Sequence, residues 1–299
     1  MKTLGFTSFI LRFIFRRERF GILWARGGLG NQLFQISALS FFSSELHFSP
    51  VIHPTNLRYA RDGFKPQYRN LSIEEFFSPD IKAVDPSLIL ELFLKLLYKL
   101  YLKFFRSGIY DESKLLLSNN SSLPNLFFIQ DFFENQQYPN RLSNRSLTHL
   151  FRKMGRSEWM NVAPSCSLAK NSTMIHIRLT DSHNQADICE LLLRADIMMR
   201  NGGVLKENST IDVYSDDLPL AKKLLDSTFV WAQKHYPEES KEFSSAALLE
   251  QFSRYDQIIA SKSTLSWWAC FLKSKLTVEQ GLILADFDSK LMRDGWLKI

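Results

Sequence analysis

Cysteine is scarce in this chain. Only Cys166, Cys189 and Cys270 occur, far apart and in no metal-ligand spacing, which excludes a disulfide scaffold and a zinc-knuckle site and fits a reducing compartment. Several Asn-x-Ser/Thr triplets (among them those at Asn70, Asn144, Asn171 and Asn208) then read as chance in an Asn- and Ser-rich chain. No internal repeat and no long low-complexity tract is present, so solenoid and disordered classes are excluded. There is no bilayer-spanning apolar run: the N-terminal "MKTLGFTSFILRFIFRRERF" is interrupted by Arg12, falls short of the roughly 20 residues a span needs, and lacks a small-residue cleavage site. It reads as a basic lead-in segment suited to lie on a membrane. Charge of one strong sign is absent too, since a net charge of +6 suits an anionic small molecule, a membrane surface or nucleic acid without choosing among them. No nucleic-acid-binding motif accompanies it.

What is present is a large apolar fraction, 45% of 299 residues with 25 Phe, enough for one large or two ordinary domains. The segment "DPSLILELFLKLLYKLYLKFFRSG" carries its charges at Glu91, Lys95, Lys99, Lys103 and Arg106, one thin stripe on an otherwise apolar helix expected over 88–105. Such a helix is either buried in the first domain or lies at a membrane interface with its lysines reaching toward headgroups. A polar, turn-rich stretch over 139–170 marks a boundary, giving domains of 1–155 and 156–299. Beyond it, "TMIHIRL", "TIDVYSDD", "YDQIIAS" and "GLILAD" alternate with helical stretches, the pattern of a parallel sheet with crossover helices.

The unusual polar residues fall at the carboxyl ends of the expected strands. His176, Arg178 and Asp181 end one; Ser215, Asp216 and Asp217 end the next; Ser261, Ser263, Thr264 and Ser266 follow a third. In the first half, Gly27, Gly28 and Gly30 with Asn31 and Gln32 follow "GILWA". Open α/β sheets bind ligands in the crevice outside these ends. The glycine spacing is neither the dinucleotide fingerprint nor a P-loop, and Asp216-Asp217 is an adjacent pair, not an Asp-x-Asp of the kind that holds a divalent metal. Each segment also has a plain reading: "YSDD" as a helix cap, "HIRLTD" as a strand end with an ion pair, "STLSWW" as a helix start with two packing tryptophans.

Together the four segments resemble the α-1,2-fucosyltransferase family, the inverting group that transfers fucose from GDP-fucose. Its opening "GGLGNQLFQ" is matched at 27–35 without a change, "HIRLTD" at 176–181 corresponds to its His-x-Arg-Arg-Gly-Asp segment, its Ser-Asp-Asp to 215–217, and its Ser-x-Phe-Ser-Trp-Trp to 263–268. Weaker similarity covers "YRNLSIEEFF" and "FFIQDFFENQQY", so the resemblance spans about residues 20–272.

The resemblance implies an α/β, GT-B-like fold of two Rossmann-type domains facing a central cleft, the acceptor on the first and GDP-fucose on the second. It implies that Arg178 binds the β-phosphate, that His176 and one of Asp216 or Asp217 face the nucleotide, that Ser263, Thr264 and Ser266 serve the pyrophosphate, and that Gly28, Gly30 and Asn31 approach the sugar. Asp181 is either the general base or the residue that orients Arg178. No metal or other cofactor is expected. The implied acceptor is a terminal galactose of a surface glycan such as an O-antigen or capsule unit, lipid-linked at the inner face of the cytoplasmic membrane. One departure stands out: the family's second arginine is Leu179 and its glycine Thr180. That leaves open another linkage or acceptor, or a non-catalytic nucleotide-sugar-binding descendant.

Overall fold

The computed structural model describes residues 2–4, 6–15, 17–53, 61–62, 65–66, 81–84, 88–104, 108–142, 172–179, 185–202, 209–237, 245–276 and 282–299. Thr180, Asp181, the segment 68–77 and nearly all of the expected boundary stretch lie outside them. The chain forms two compact units, Met1–Lys153 and Met154–Ile299.

The first unit holds a six-stranded sheet of β1 (Lys2–Leu4), β2 (Phe20–Trp24), β3 (Ser49–His53), β6 (Lys82–Val84), β7 (Ile109–Tyr110) and β8 (Leu126–Ile129). A two-residue hairpin, β4 (Arg61–Asp62) with β5 (Lys65–Pro66), stands apart from it. All pairings in the large sheet are parallel, in the order β1-β6-β3-β2-β8-β7. Strands β2 and β8 are buried at every residue, which is why "FGILW" and "LFFI" read as unbroken apolar runs rather than alternating ones.

Helix α1 (Phe6–Phe15) and helix α3 (Leu88–Phe104) cover the side of this sheet that Phe20, Ile22, Trp24 and Phe128 face, inserting Phe9, Leu90 and Leu94. The lead-in segment is therefore a core helix, with Phe9 1% exposed. Helix α2 (Leu29–Leu46) is buried along Leu33, Phe34, Ala38 and Phe42. It meets the four-residue helix α5 (Gln137–Asn140), which follows the six-residue α4 (Glu112–Leu117), through the Phe42–Tyr138 ring pair.

The second unit repeats the scheme with β9 (Thr173–Ile177), β10 (Thr210–Ser215), β11 (Gln233–His235), β12 (Gln257–Ala260), β13 (Ile283–Ala285) and β14 (Leu297–Lys298). The order β11-β10-β9-β12-β13-β14, all parallel, is the 3-2-1-4-5-6 arrangement of a doubly wound sheet. Helices α6 (Gln185–Asn201) and α7 (Leu218–Leu225) pack on the face carrying Ile175, Ile177, Ile211 and Val213. On the other face, α8 (Ser245–Ser253) sets Phe252 against His176 and Tyr214, and α9 (Thr264–Leu276) buries Trp267 and Trp268 completely. Among the described residues, no helix is long and apolar enough to cross a membrane.

Candidate functional site

In the second unit the strand order reverses between β9 and β12, so the loops leaving these two strands diverge and open a crevice at their carboxyl ends. Arg178 leaves β9 and Ser261–Ser263 leave β12. The two loops are tied together: Ser261 N–H donates to the His176 carbonyl at 3.1 Å, and Arg178 N–H donates to Ser261 Oγ at 2.9 Å. From the other side Asp216, at the end of β10, uses both carboxylate oxygens. Oδ1 accepts the Leu179 N–H at 2.7 Å, and Oδ2 pairs with Arg178 Nε at 3.1 Å. One carboxylate thus fixes both the backbone and the side chain of the loop after β9. The Arg178 side chain keeps 33% of its surface exposed, so this is a guanidinium presented at the crevice and not a core ion pair.

His176 lies just beneath. Its Nδ1 is 2.5 Å from Ser266 Oγ, in the first turn of α9, and its ring stands 5.0 Å from that of Phe252. Burial drives its pKa down to about 4; the Arg178 charge pushes the same way and Asp216 opposes. The imidazole is therefore neutral near pH 7 and serves as a hydrogen-bonding group. Ser263 Oγ accepts the Ser266 N–H at 3.5 Å, and with Thr264 it stands at the start of α9, where helix amides favour an anion.

Asp217 has a different task from Asp216. Its carboxylate accepts the Leu220 N–H at 3.1 Å and caps α7, the plain reading of "YSDD". Trp267 likewise packs, its indole N–H donating to the Leu291 carbonyl at 2.7 Å. Leu179 turns its side chain into the apolar cluster under α6 and α7. Lys262, which belongs to none of the motifs, lies 3.9 Å from Asp286 and 4.0 Å from Asp288 in the loop after β13. Asp181 is outside the described residues.

In the first unit the order reverses between β2 and β8, and the glycine-rich turn leaves β2 there. Gly27 has φ +80°, a conformation side chains resist, and a Cβ on it would come within 2.5–3.0 Å of the Asn31 side chain. Gln35 clips Arg26 by both backbone groups, accepting its N–H and donating to its carbonyl at 3.1 Å each, while Gln32 Nε2 donates to the Gly27 carbonyl at 3.0 Å. Gly28 begins α2 without a side-chain cap. The Arg26 guanidinium carbon sits 4.1 Å above the Phe132 ring, which follows β8. Gly30 and Asn31 occupy the first turn of α2, where Asn31 Oδ1 is buried with no hydrogen-bond partner.

Among the described residues no cluster of three or more His, Cys, Asp or Glu could hold a metal ion. The residues at the reversal of the second sheet, a guanidinium braced by a carboxylate beside an uncharged imidazole and a helix N-terminus, suit a ligand carrying phosphate.

No family model matches the sequence, and no curated protein sequence is significantly similar to it. Solved structures do match in fold. FUT1 of Arabidopsis thaliana, solved as a variant in complex with GDP, superposes with a TM-score of 0.50 at 11% identity, over 89% of this chain and 72% of that one. The fucosyltransferase NodZ from Bradyrhizobium gives 0.44 at 15% identity, over 85% and 93%. A glycosyl transferase family 9 protein from Veillonella parvula gives 0.40 at 10% identity, over 94% and 86%. The chain has the α/β, GT-B-like class expected from its sequence, with a Rossmann-type parallel sheet in each unit.

Proposed function

We propose that the chain is an inverting fucosyltransferase that moves L-fucose from GDP-fucose to a hydroxyl of a galactose-terminated glycan. The observation that carries this reading is Arg178, held on Asp216 at the reversal point of the second sheet beside the start of α9. It joins the unchanged "GGLGNQLFQ" at 27–35.

The chemistry asks for such an arrangement. An acceptor oxygen attacks the anomeric carbon from the face opposite the nucleotide, the bond from that carbon to the β-phosphate oxygen breaks, and GDP leaves with the electron pair. Negative charge grows on the diphosphate as the sugar becomes cationic, and a forked guanidinium stabilises that charge without changing protonation. The α9 amides, Ser263 and Thr264 add neutral donors, and Ser266 holds His176 in place. The acceptor proton passes to a base, for which Asp181 is the motif's carboxylate. In this reading Asp216 acts through Arg178, Asp217 through the start of α7, and Gly28, Gly30 and Asn31 line the sugar end. The domain limits 1–155 and 156–299 belong to the same proposal.

GDP release from GDP-fucose with a panel of β-galactosides, with and without EDTA, tests it. Acceptor-dependent, EDTA-resistant release is expected; measurable GDP-fucose binding without release by any acceptor would instead favour a binding descendant. A second reading, a different linkage or acceptor, is favoured by Leu179, whose side chain is committed to the apolar cluster where the family has an arginine. Product linkage analysis of wild type and Leu179→Arg separates the two.

A further inference from the structure

The outward side of α3 has no part in the site or the core. Leu90 and Leu94 are fully buried against the sheet, and Leu97 and Tyr98 pack beside them, so the core already has its face of this helix. Leu92, Leu96 and Leu100 point the other way, 53%, 58% and 39% exposed. Spaced four apart, they form one ridge. Lys95, Lys99 and Lys103 form a second row at the same spacing, half-buried at Lys95 and exposed at the other two. At 3.6 residues per turn the rows interleave, Lys99 and Lys103 flanking Leu92 and Leu96. Every exposed side chain described on α3 is therefore leucine or lysine. From Leu92 to Lys103 the face runs about 17 Å.

A solvated helix in the same chain looks different. Helix α6 exposes Leu193 and Ile197 as well, yet sets Asp187, Glu190, Arg194 and Arg200 among them, with Glu190 paired to Arg194 and Arg200 to Asp196. Mixed signs along the whole face hold water; three successive lysines, which follow Glu91 on the stripe, beside an apolar ridge match an anionic interface. Helix α1 is not part of the charge pattern, since Arg12 is taken up by Glu18.

We propose that this face of α3 seats the chain on an anionic lipid bilayer, the leucines entering the headgroup layer and the lysine ammonium groups lying among the phosphates. The contact is peripheral and independent of the donor chemistry, so it is measured without GDP-fucose. The full chain is sedimented with vesicles of phosphatidylcholine alone and of phosphatidylcholine with phosphatidylglycerol. Uptake by the anionic vesicles is expected, with a loss of at least about tenfold for Lys99→Glu with Lys103→Glu and for Leu92→Ser with Leu96→Ser. All four side chains are exposed, so thermal melting should be unchanged and a loss cannot be ascribed to unfolding. Uptake that is equal on both vesicles and indifferent to the charge reversals overturns the proposal. So does a wild-type dimer that Leu92→Ser with Leu96→Ser turns into a monomer while no vesicle binds, because the face would then join two copies.

Discussion

The turn after β2 and the turn after β9 occupy equivalent places, each leaving a central strand where its sheet reverses order, yet they are held by different means. The first is held by neutral groups: Gln35 and Gln32 close on the backbone of Arg26 and Gly27, and a positive φ does the rest. The second adds charge to the neutral bonds with Ser261, Asp216 gripping the Leu179 amide and the Arg178 side chain together. A turn fixed by its backbone tolerates little substitution, because glycine and two amides are each needed for shape. The carboxylate constrains the Arg178 guanidinium and the Leu179 amide but makes no demand on the Leu179 side chain, which packs in the apolar cluster instead.

The largest effect should come from the charged turn. Arg178→Ala should lower kcat for fucosyl transfer by about a thousandfold, the upper range for removing one preorganised group that meets developing charge. The melting temperature should hardly move, since the residue is one-third exposed and its loss opens no core cavity. A variant that turns over normally would remove Arg178 from the chemistry and the transferase reading with it.

Next in size is an acid effect confined to the second unit. The unfolded imidazole of His176 takes a proton near pH 6.5, whereas the folded one resists until about 4. Between these values the unfolded state binds more protons, so stability is full above pH 6.5 and is lost as the pH falls, by roughly 3 kcal/mol across the window. Urea unfolding of wild type and His176→Gln at several pH values would show it as a difference in slope. Parallel curves would mean that the histidine is solvated.

The neutral turn should break through stability instead. Gly27→Ala places a methyl against Asn31 at a φ of +80° and should cost about 2 kcal/mol. Gln35→Ala, which strips the partner from both backbone groups of Arg26, should cost about as much. Denaturant midpoints measure both, and a Gly27→Ala protein as stable as wild type would show that the turn relaxes.

Much of this was legible in the sequence, for physical reasons. Parallel strands buried on both faces leave apolar runs, and polar residues at their carboxyl ends stand out against them, so β9, β10 and β12 were readable from "TMIHI", "TIDVYS" and "QIIA". The charged stripe of Glu91, Lys95, Lys99, Lys103 and Arg106 marked a helix over 88–105, and Leu88–Phe104 is helical as α3. Other elements left no local mark. Strand β11 is a polar edge of three residues, "QKH", and α8 is nine residues without a distinctive start. The N-terminal run looked like a surface segment because its basic residues cluster beyond Phe15, while what buries α1 is contact with α3, more than seventy residues further on. Sheet order is non-local as well. The residue types of the site could be named, but the division of labour between Asp216 and Asp217 depends on which one β10 aims at Arg178.

That division supplies the smallest and sharpest test. Asp216→Asn keeps an oxygen for the Leu179 amide and removes the charge that faces Arg178. If Asp216 only positions the guanidinium, kcat/KM for GDP-fucose should fall about tenfold, far less than for Arg178→Ala, because the arginine stays close to its place and loses only part of its hold. The preference for GDP over ADP as an inhibitor should not change. If the carboxylate instead accepts the guanine N–H groups, the same variant should lose that preference, since the base-specific acceptor pair is gone. Inhibition constants for the two nucleotides therefore decide between a residue that acts through Arg178 and one that reads the base. Arg178 Nε pairs with Oδ2 and the Leu179 N–H donates to Oδ1, so both carboxylate oxygens face the loop after β9, which favours the first.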